Sequence, residues 1–268
     1  MEKPYIADLS DSPRPSAPPR KGKIGIVMNV YNGERHLEEV LESVRDFDDL
    51  VVVDMFSTDR TVEIARSYGA RIFSFHNVGY CEPARNATIW ASDCEWVLVL
   101  DADEVVPPAL LPFLRRLVAS ENPPHALRLP IRQYFMEREM RCLYPNHICR
   151  FLHRDSVYWP ETVHAQPKVE GKVQTIPGSH RELALIHREE NTLESRLEKI
   201  ERYSDMEVLR RGHRHYSAFQ RIAKPAARFI RSYIFKGGIL DGAPGLKWAQ
   251  LEALYKKKTI EKQDPRHH

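Results

Sequence analysis

Four short apolar runs, rich in β-branched residues, begin at positions 24, 50, 71 and 96 of this 268-residue chain. They cover 24–28, 50–53, 71–73 and 96–100, and each gap between them holds a helical candidate, at 34–45, 59–68 and 83–91. Near-continuous rather than alternating apolar residues fit strands covered on both faces. Strand–helix–strand repetition predicts an α/β fold: a mostly parallel, Rossmann-like sheet with helices on both faces and right-handed crossovers. Such sheets bind ligands beyond the carboxyl ends of their strands, so the residues that follow each run carry the information.

The rest of the chain is less regular. Residues 1–22, with five prolines in the first twenty, lack the apolar content to fold alone and are expected to form a disordered leader. Pro107-Pro108 opens a helix to about 120, and strands are expected at 126–129 and 148–152. Leu193, Leu197, Ile200, Tyr203 and Met206 recur at helical spacing. They predict a helix over 191–211, capped by Asn191 or Thr192. Beyond it a basic, aromatic tail is broken by Gly237-Gly238 and by Gly242 to Gly245 into short amphipathic helices. The expected division is a leader (1–22), a catalytic domain (23–190) and a helical C-terminal extension (191–268).

Composition removes several classes. A net charge of +3 is too small a bias for a nucleic-acid footprint, so no nucleic-acid partner is expected. Four cysteines without a C-x-x-C pair argue against a disulfide framework or a structural zinc site. No apolar run reaches the ~20 residues that a membrane span requires, and no signal-peptide pattern opens the chain. A cytoplasmic protein is expected. A G-x-G-x-x-G fingerprint, a Walker loop and a G-x-S-x-G elbow are all missing, which disfavours dinucleotide enzymes, P-loop enzymes and nucleophilic hydrolases.

The strand-end residues are polar. Asn29, Tyr31 and Asn32 follow or close the first run, Asp54 the second, and Asp101-Ala102-Asp103-Glu104 the fourth. Two carboxylates at i and i+2 leaving a strand can share one hard cation, Mg²⁺ or Mn²⁺, with a bound diphosphate. The metal would neutralise charge on a departing nucleoside diphosphate. The plainer alternative is that Asp103 and Glu104 only complement the N-terminus of the helix after Pro107.

These segments together resemble family-2 glycosyltransferases. The carriers are the stretch from Val51 to Thr61 with Ala65 and Tyr68-Gly69-Ala70, then Glu82-Pro83-Ala84-Arg85-Asn86-Ala87, then Trp96 to Glu104. The bacterial subgroup with lipopolysaccharide-core β-glucosyltransferases is the most similar. Its later markers appear in order at Tyr144-Pro145, Arg150-Phe151-Leu152, Val163-His164, His187 and Arg202-Tyr203. The resemblance covers about 23 to 250. It implies a GT-A fold and an inverting transfer of a sugar from a nucleoside diphosphate, a UDP-sugar favoured, to a glycan, lipid-linked or other small acceptor.

By matching position, Asp54 would hold the nucleobase or ribose above the segment from Asn29 to Asn32. Arg85 would face the diphosphate or donor sugar, Asp101 the ribose or sugar hydroxyls, and Asp103 the metal, with His187 as a further ligand. Each has a plainer alternative: Arg85 as an ion-pair partner of Asp101 or Asp103, and His187 as a satisfied core histidine. Two departures stand out. Met55-Phe56 replace the small residues that follow the second-strand aspartate, and Ala165 stands where the subgroup has a glutamate after its histidine. An inverting transfer needs a general base for the acceptor hydroxyl, and Glu161 and His164 are the candidates.

The tail has two readings: aromatic residues packed on the catalytic domain with solvated cations, or peripheral contact with the inner face of a membrane. Competing functions are a nucleotidyltransferase and a sugar-nucleotide-binding protein that has lost its base.

Overall fold

The computed structural model describes residues 5–10, 17–162, 165–188 and 192–264. His164 and Asn191 lie outside them. The chain forms two compact units: residues 1–131 with 146–188, and residues 132–145 with 189–268.

The first unit is built on β1 (Arg20–Val30), β2 (Asp49–Asp54), β3 (Arg71–Ser74) and β4 (Cys94–Leu100), all parallel. Helices α1 (Glu34–Ser43), α2 (Thr61–Ser67) and α3 (Glu82–Ala91) connect them. The expected α/β class is therefore borne out. Alternate strand residues go to opposite faces. Ile26, Met28, Val52, Leu98 and Leu100 pack with Leu37, Val40 and Leu41 of α1 and with Leu110 and Leu114 of α4 (Leu110–Val118). Val27, Val51, Val53, Val97 and Val99 pack with Ala84 and Ile89 of α3. This double burial is why the runs read as continuous apolar stretches.

Further strands are β5 (Glu104–Val105), β6 (Ala126–Phe135), β7 (Arg138–Glu139) and β8 (Asn146–His153). They are followed by β9 (Val157–Tyr158), β10 (Lys168–Val169), β11 (Val173–Thr175) and β12 (Leu185–His187). The main sheet runs β3-β2-β1-β4-β8-β6-β12-β5. In its second half β8 runs antiparallel to β4 and β6, and β12 antiparallel to β5, while β11 branches off as a parallel neighbour of β6.

Residues 5–10, expected within a disordered leader, lie along β3. Ile6 N–H donates to Ile72 O (2.7 Å), Leu9 N–H to Ser74 O (2.8 Å) and Ser74 N–H to Ala7 O (3.0 Å). The open edge of β3 supplies unpaired backbone groups, and the segment satisfies them.

In the second unit, α5 (Leu193–Arg211) is capped by Thr192, whose side chain accepts from Ser195 N–H. Helices α6 (Ala218–Ile230) and α7 (Gly242–Gln263) follow. The tail was expected to contain only short helices, yet α7 runs for 22 residues, because its glycines and proline sit in the first turn, where they are tolerated. Residues 132–145 join this unit, a grouping that a division near 190 does not contain. Asp241, buried, accepts from Arg141 N–H and Cys142 N–H (2.9 Å each). Phe135, Met140 and Cys142 pack with Ile200, Trp248 and Leu251. Among the described residues no helix is long and apolar enough to cross a membrane.

Candidate active site

The carboxyl ends of β2, β1 and β4 lie side by side, with Val30 paired to Asp54 and Met28 to Leu100. Asp54 and the 101–104 segment thus share one rim, separated by one strand. At ~4.8 Å per strand step the two tips stand roughly 10 Å apart, too far for one ion and within the span of a nucleotide.

Asp54 is fully buried. Its Oδ2 accepts from the Tyr5 hydroxyl at 2.7 Å, and both carboxylate oxygens accept from Ser57 N–H at 3.2 Å. Burial, the hydrogen bond and the negative charge of Asp54 push Tyr5 up to about 12. The Tyr5 ring meets Phe56 edge-on, centroids 6.0 Å apart. Phe56 is half exposed and holds φ at +63°, a left-handed conformation unfavourable for a bulky side chain. The small residues usual after this aspartate would sit there without strain.

The residues of β1 divide. Asn29 is buried and donates from Nδ2 to Thr88 Oγ1 (2.6 Å), tying β1 to α3. Asn32 accepts at Oδ1 from Thr58 N–H (2.8 Å), and its own N–H donates to Ser57 Oγ (2.9 Å), so it braces the loop after Asp54. Tyr31 is exposed at the rim.

Asp101 is the hub of an ion-pair network. Arg85, from the first turn of α3, donates from Nη2 to its Oδ1 at 2.6 Å; Arg150, from β8, donates to Oδ2. Arg150 also donates to Glu104 Oε1 at 2.7 Å. Both arginines and Glu104 are buried. Burial works against ionised Asp101, but Arg150 and Arg85 outweigh it and hold the carboxyl far below its ordinary value. Glu104 shifts the other way, raised by burial and by the neighbouring Asp101 against the pull of Arg150. With both oxygens occupied, Asp101 orients two guanidinium groups; the ion-pair alternative for Arg85 is the observed one. Arg85 Nε and Nη1 and Arg150 Nε are buried without an acceptor among the described residues. Orphaned donors of this kind are costly, and an oxyanion would satisfy them. The Arg85 guanidinium also lies 5.3 Å from the centre of the Trp159 ring.

The sequence alone does not mark Arg150 and Glu104 as site residues. The available signal was a lone arginine within the apolar run of β8, a position that demands a buried carboxylate partner.

His187 is not a core histidine. Strand β12 pairs it with Glu104 of β5, and its Nε2 stands 3.2 Å from Asp103 Oδ2, with both side chains partly exposed. The turn is fixed by Arg188 N–H donating to Asp103 O (2.7 Å). Burial disfavours protonation, but the hydrogen bond to Asp103 and the charges of Asp103, Glu104 and Asp101 raise the imidazole above its ordinary value. One carboxylate oxygen and one imidazole nitrogen at this separation suit a divalent cation of the Mn²⁺ type, and they leave other coordination positions to a ligand. The residues fit a metal.

Another cluster of potential ligands, Asp49, Asp93 and Cys94, lies at the amino ends of β2 and β4. Asp49 is bonded to Arg71 and Ser92, Asp93 to Arg20, and burial pushes the Cys94 thiol up to about 11. Those pairings account for the cluster.

Of the two base candidates, Glu161 is exposed, two residues beyond Trp159. Trp159 is anchored to α3 through Asn86, which donates to Trp159 O (2.7 Å) and accepts from Trp159 N–H (2.8 Å). Ala165 O accepts from Trp159 Nε1 (3.1 Å). The loop carrying Glu161 is therefore tethered beside Arg85.

Residues 25–157 match the family model for glycosyl transferase family 2. Over 118 residues the chain is 34% identical to an uncharacterized glycosyltransferase of Rickettsia bellii, covering 43% of this chain and 40% of that protein. Over 99 residues it is 37% identical to a dolichyl-phosphate hexose transferase of Haloferax volcanii, covering 35% and 42%. The chain thus matches less than half the length of these relatives. A mannosyltransferase from Pyrobaculum calidifontis, solved with GDP-mannose and Mn²⁺, shares the fold at 14% identity and a TM-score of 0.55, over 94% of this chain and 91% of that one.

Proposed function

The chain belongs to glycosyl transferase family 2 through residues 25–157, and from that premise we propose an inverting, metal-assisted transfer of a sugar from a nucleoside diphosphate to a glycan or lipid-linked acceptor. The observation that carries the reading is the pairing of Asp103 with His187 at 3.2 Å, on the rim where Arg85 and Arg150 keep buried N–H groups without acceptors among the described residues. A divalent cation held by Asp103 and His187 would neutralise charge on the leaving diphosphate.

The other roles belong to the chain. Arg85 and Arg150, held in place by Asp101, face the diphosphate and stabilise its growing negative charge. Asp54 reads the base or ribose once the Tyr5 hydroxyl yields its carboxylate. The acceptor oxygen attacks the anomeric carbon as the bond from that carbon to the diphosphate oxygen breaks. The hydroxyl proton passes to a base, for which Glu161 is the candidate among the described residues and His164 the other. The product carries inverted configuration, and nucleoside diphosphate departs. The matched segment lies within the span proposed as the catalytic domain, 23–190. The extension, 191–268, is read as the part that keeps the protein peripherally on the inner face of a membrane.

The test is incubation of the protein with a panel of UDP- and GDP-sugars and Mn²⁺, following release of nucleoside diphosphate with and without candidate acceptors. The reading expects release from one nucleobase class, metal-dependent and lost in Asp103→Ala. Release of pyrophosphate from nucleoside triphosphates instead would make the protein a nucleotidyltransferase. Tight binding without release would mark a protein that has lost its base.

A further inference from the structure

Helix α6 is turned inside out. At 3.6 residues per turn, Phe219, Ile222, Ala226 and Ile230 fall on one side, while Arg221, Lys224, Arg228 and Arg231 fall on the other. In a water-soluble helical unit the apolar side would face the neighbouring helix. Here Phe219 is 78% exposed and Ile222 75%. Arg221 pairs with Asp264 (2.6 Å), while Lys224, Arg228 and Arg231 line an open cleft of about 480 Å³ with Glu207, Arg211 and Lys256.

The apolar surface continues past the helix. A five-residue π-helical turn over Arg231–Phe235 and the turn after it leave Ile234, Phe235, Ile239 and Leu240 exposed, Phe235 at 82%. This tip is held firmly. A Cβ on Gly245 would lie 1.9 Å from Gly238 O, and one on Gly238 would lie 2.9 Å from Ser232 O. Only glycine allows the backbone to close there, so the apolar side chains are presented by a locked turn.

The cations are in excess. Arg211 pairs with Glu207 (2.6 Å) and Arg228 with Glu252 (2.7 Å). Among the described residues no carboxylate pairs with Lys224, Arg231, Lys236 or Lys256. Burial, then the nearby Lys224 and Arg211, lower the Lys256 ammonium below its ordinary value. Water is a poor partner for the apolar stripe, and an anion is the missing partner for the cleft.

We propose that the α6 stripe and the 234–240 tip insert into the headgroup region of an anionic bilayer, with the excess cations of the cleft supplying the attraction. An apolar face flanked by unneutralised lysine and arginine matches such a surface in both chemistry and charge. A Debye length of about 8 Å under physiological salt lets cations one helix-width away contribute. The inference deepens the membrane part of the proposed function and is independent of the transfer chemistry.

The test is co-sedimentation of the full chain with phosphatidylcholine vesicles and with vesicles that also contain phosphatidylglycerol, at low and high salt. The protein should partition onto the anionic vesicles, and high salt should weaken that binding. Phe219→Ser with Phe235→Ser should weaken it at least about tenfold, and Lys224→Glu with Arg231→Glu should abolish the preference for anionic lipid. All four positions are exposed, and an unchanged thermal midpoint would show that the variants fold. Equal binding to both vesicle types, with the charge variants unaffected, would overturn the cationic part and leave membrane association standing. No binding to either would overturn both. Self-association that covers the stripe, seen by light scattering without vesicle binding, would assign it to a second copy of the chain.

Discussion

Tyr5 occupies the one carboxylate, Asp54, that the family resemblance assigns to the donor base. A ligand that needs Asp54 must displace a hydrogen bond to a charged group, worth about 2 kcal/mol. Tyr5→Phe should therefore tighten nucleoside diphosphate binding by up to about thirtyfold, measured by titration calorimetry. Unchanged affinity would remove Asp54 from the base subsite. Phe56 is the neighbouring anomaly, because its left-handed backbone offsets what its ring gains. Phe56→Gly should leave the thermal midpoint unchanged or raised, whereas truncating a well-placed Phe costs about 3–5 kcal/mol. At Arg150 the expectation reverses: Arg150→Met leaves buried Glu104 and one Asp101 oxygen uncompensated. Urea unfolding should show a loss of about 3 kcal/mol.

At the level of elements, the loop before α1 and the Asp101–Asp103 turn are pressed together. A Cβ on Gly33 would stand 2.8 Å from the Ala102 Cβ. Gly33→Ala should push Asp101 and Asp103 out of register and reduce metal-dependent nucleotide binding with little effect on secondary structure. Adding Ala102→Gly should restore it, and a failure of that rescue would locate the damage elsewhere. The elements that build this rim were legible because β1 to β4 are buried on both faces and α1 to α3 each fill one gap. The short strands were not. β5 and β12 hold two and three residues, too few for any periodicity, yet they bring His187 to Asp103. Tyr5 was hidden for another reason: a proline-rich leader carries no local signal for pairing with a sheet edge some 65 residues away. Motif position makes Arg85, Asp101 and Asp103 legible as neighbours on one rim, but a lone sequence does not reveal that β8 places Arg150 against Asp101.

For the molecule as a whole, the thiols give a simple check on the described structure. Cys94, Cys142 and Cys149 are buried, and burial pushes them up to about 11, 12 and 11, while Cys81 is half exposed and also raised by burial. At pH 8 Ellman's reagent should detect at most Cys81 in the native protein and all four cysteines after unfolding; prompt reaction of several thiols would contradict the packing. On the proposed reading Asp103 and His187 would hold a cation on the rim, beside guanidinium donors that await an anion. The most direct measurement is the thermal stabilisation of the protein by UDP or GDP, with and without Mn²⁺, beside Asp103→Ala and His187→Ala. The account predicts a shift that requires nucleotide and metal together and is lost in both variants. A nucleotide-dependent shift of equal size without Mn²⁺, or one retained in Asp103→Ala, would contradict it.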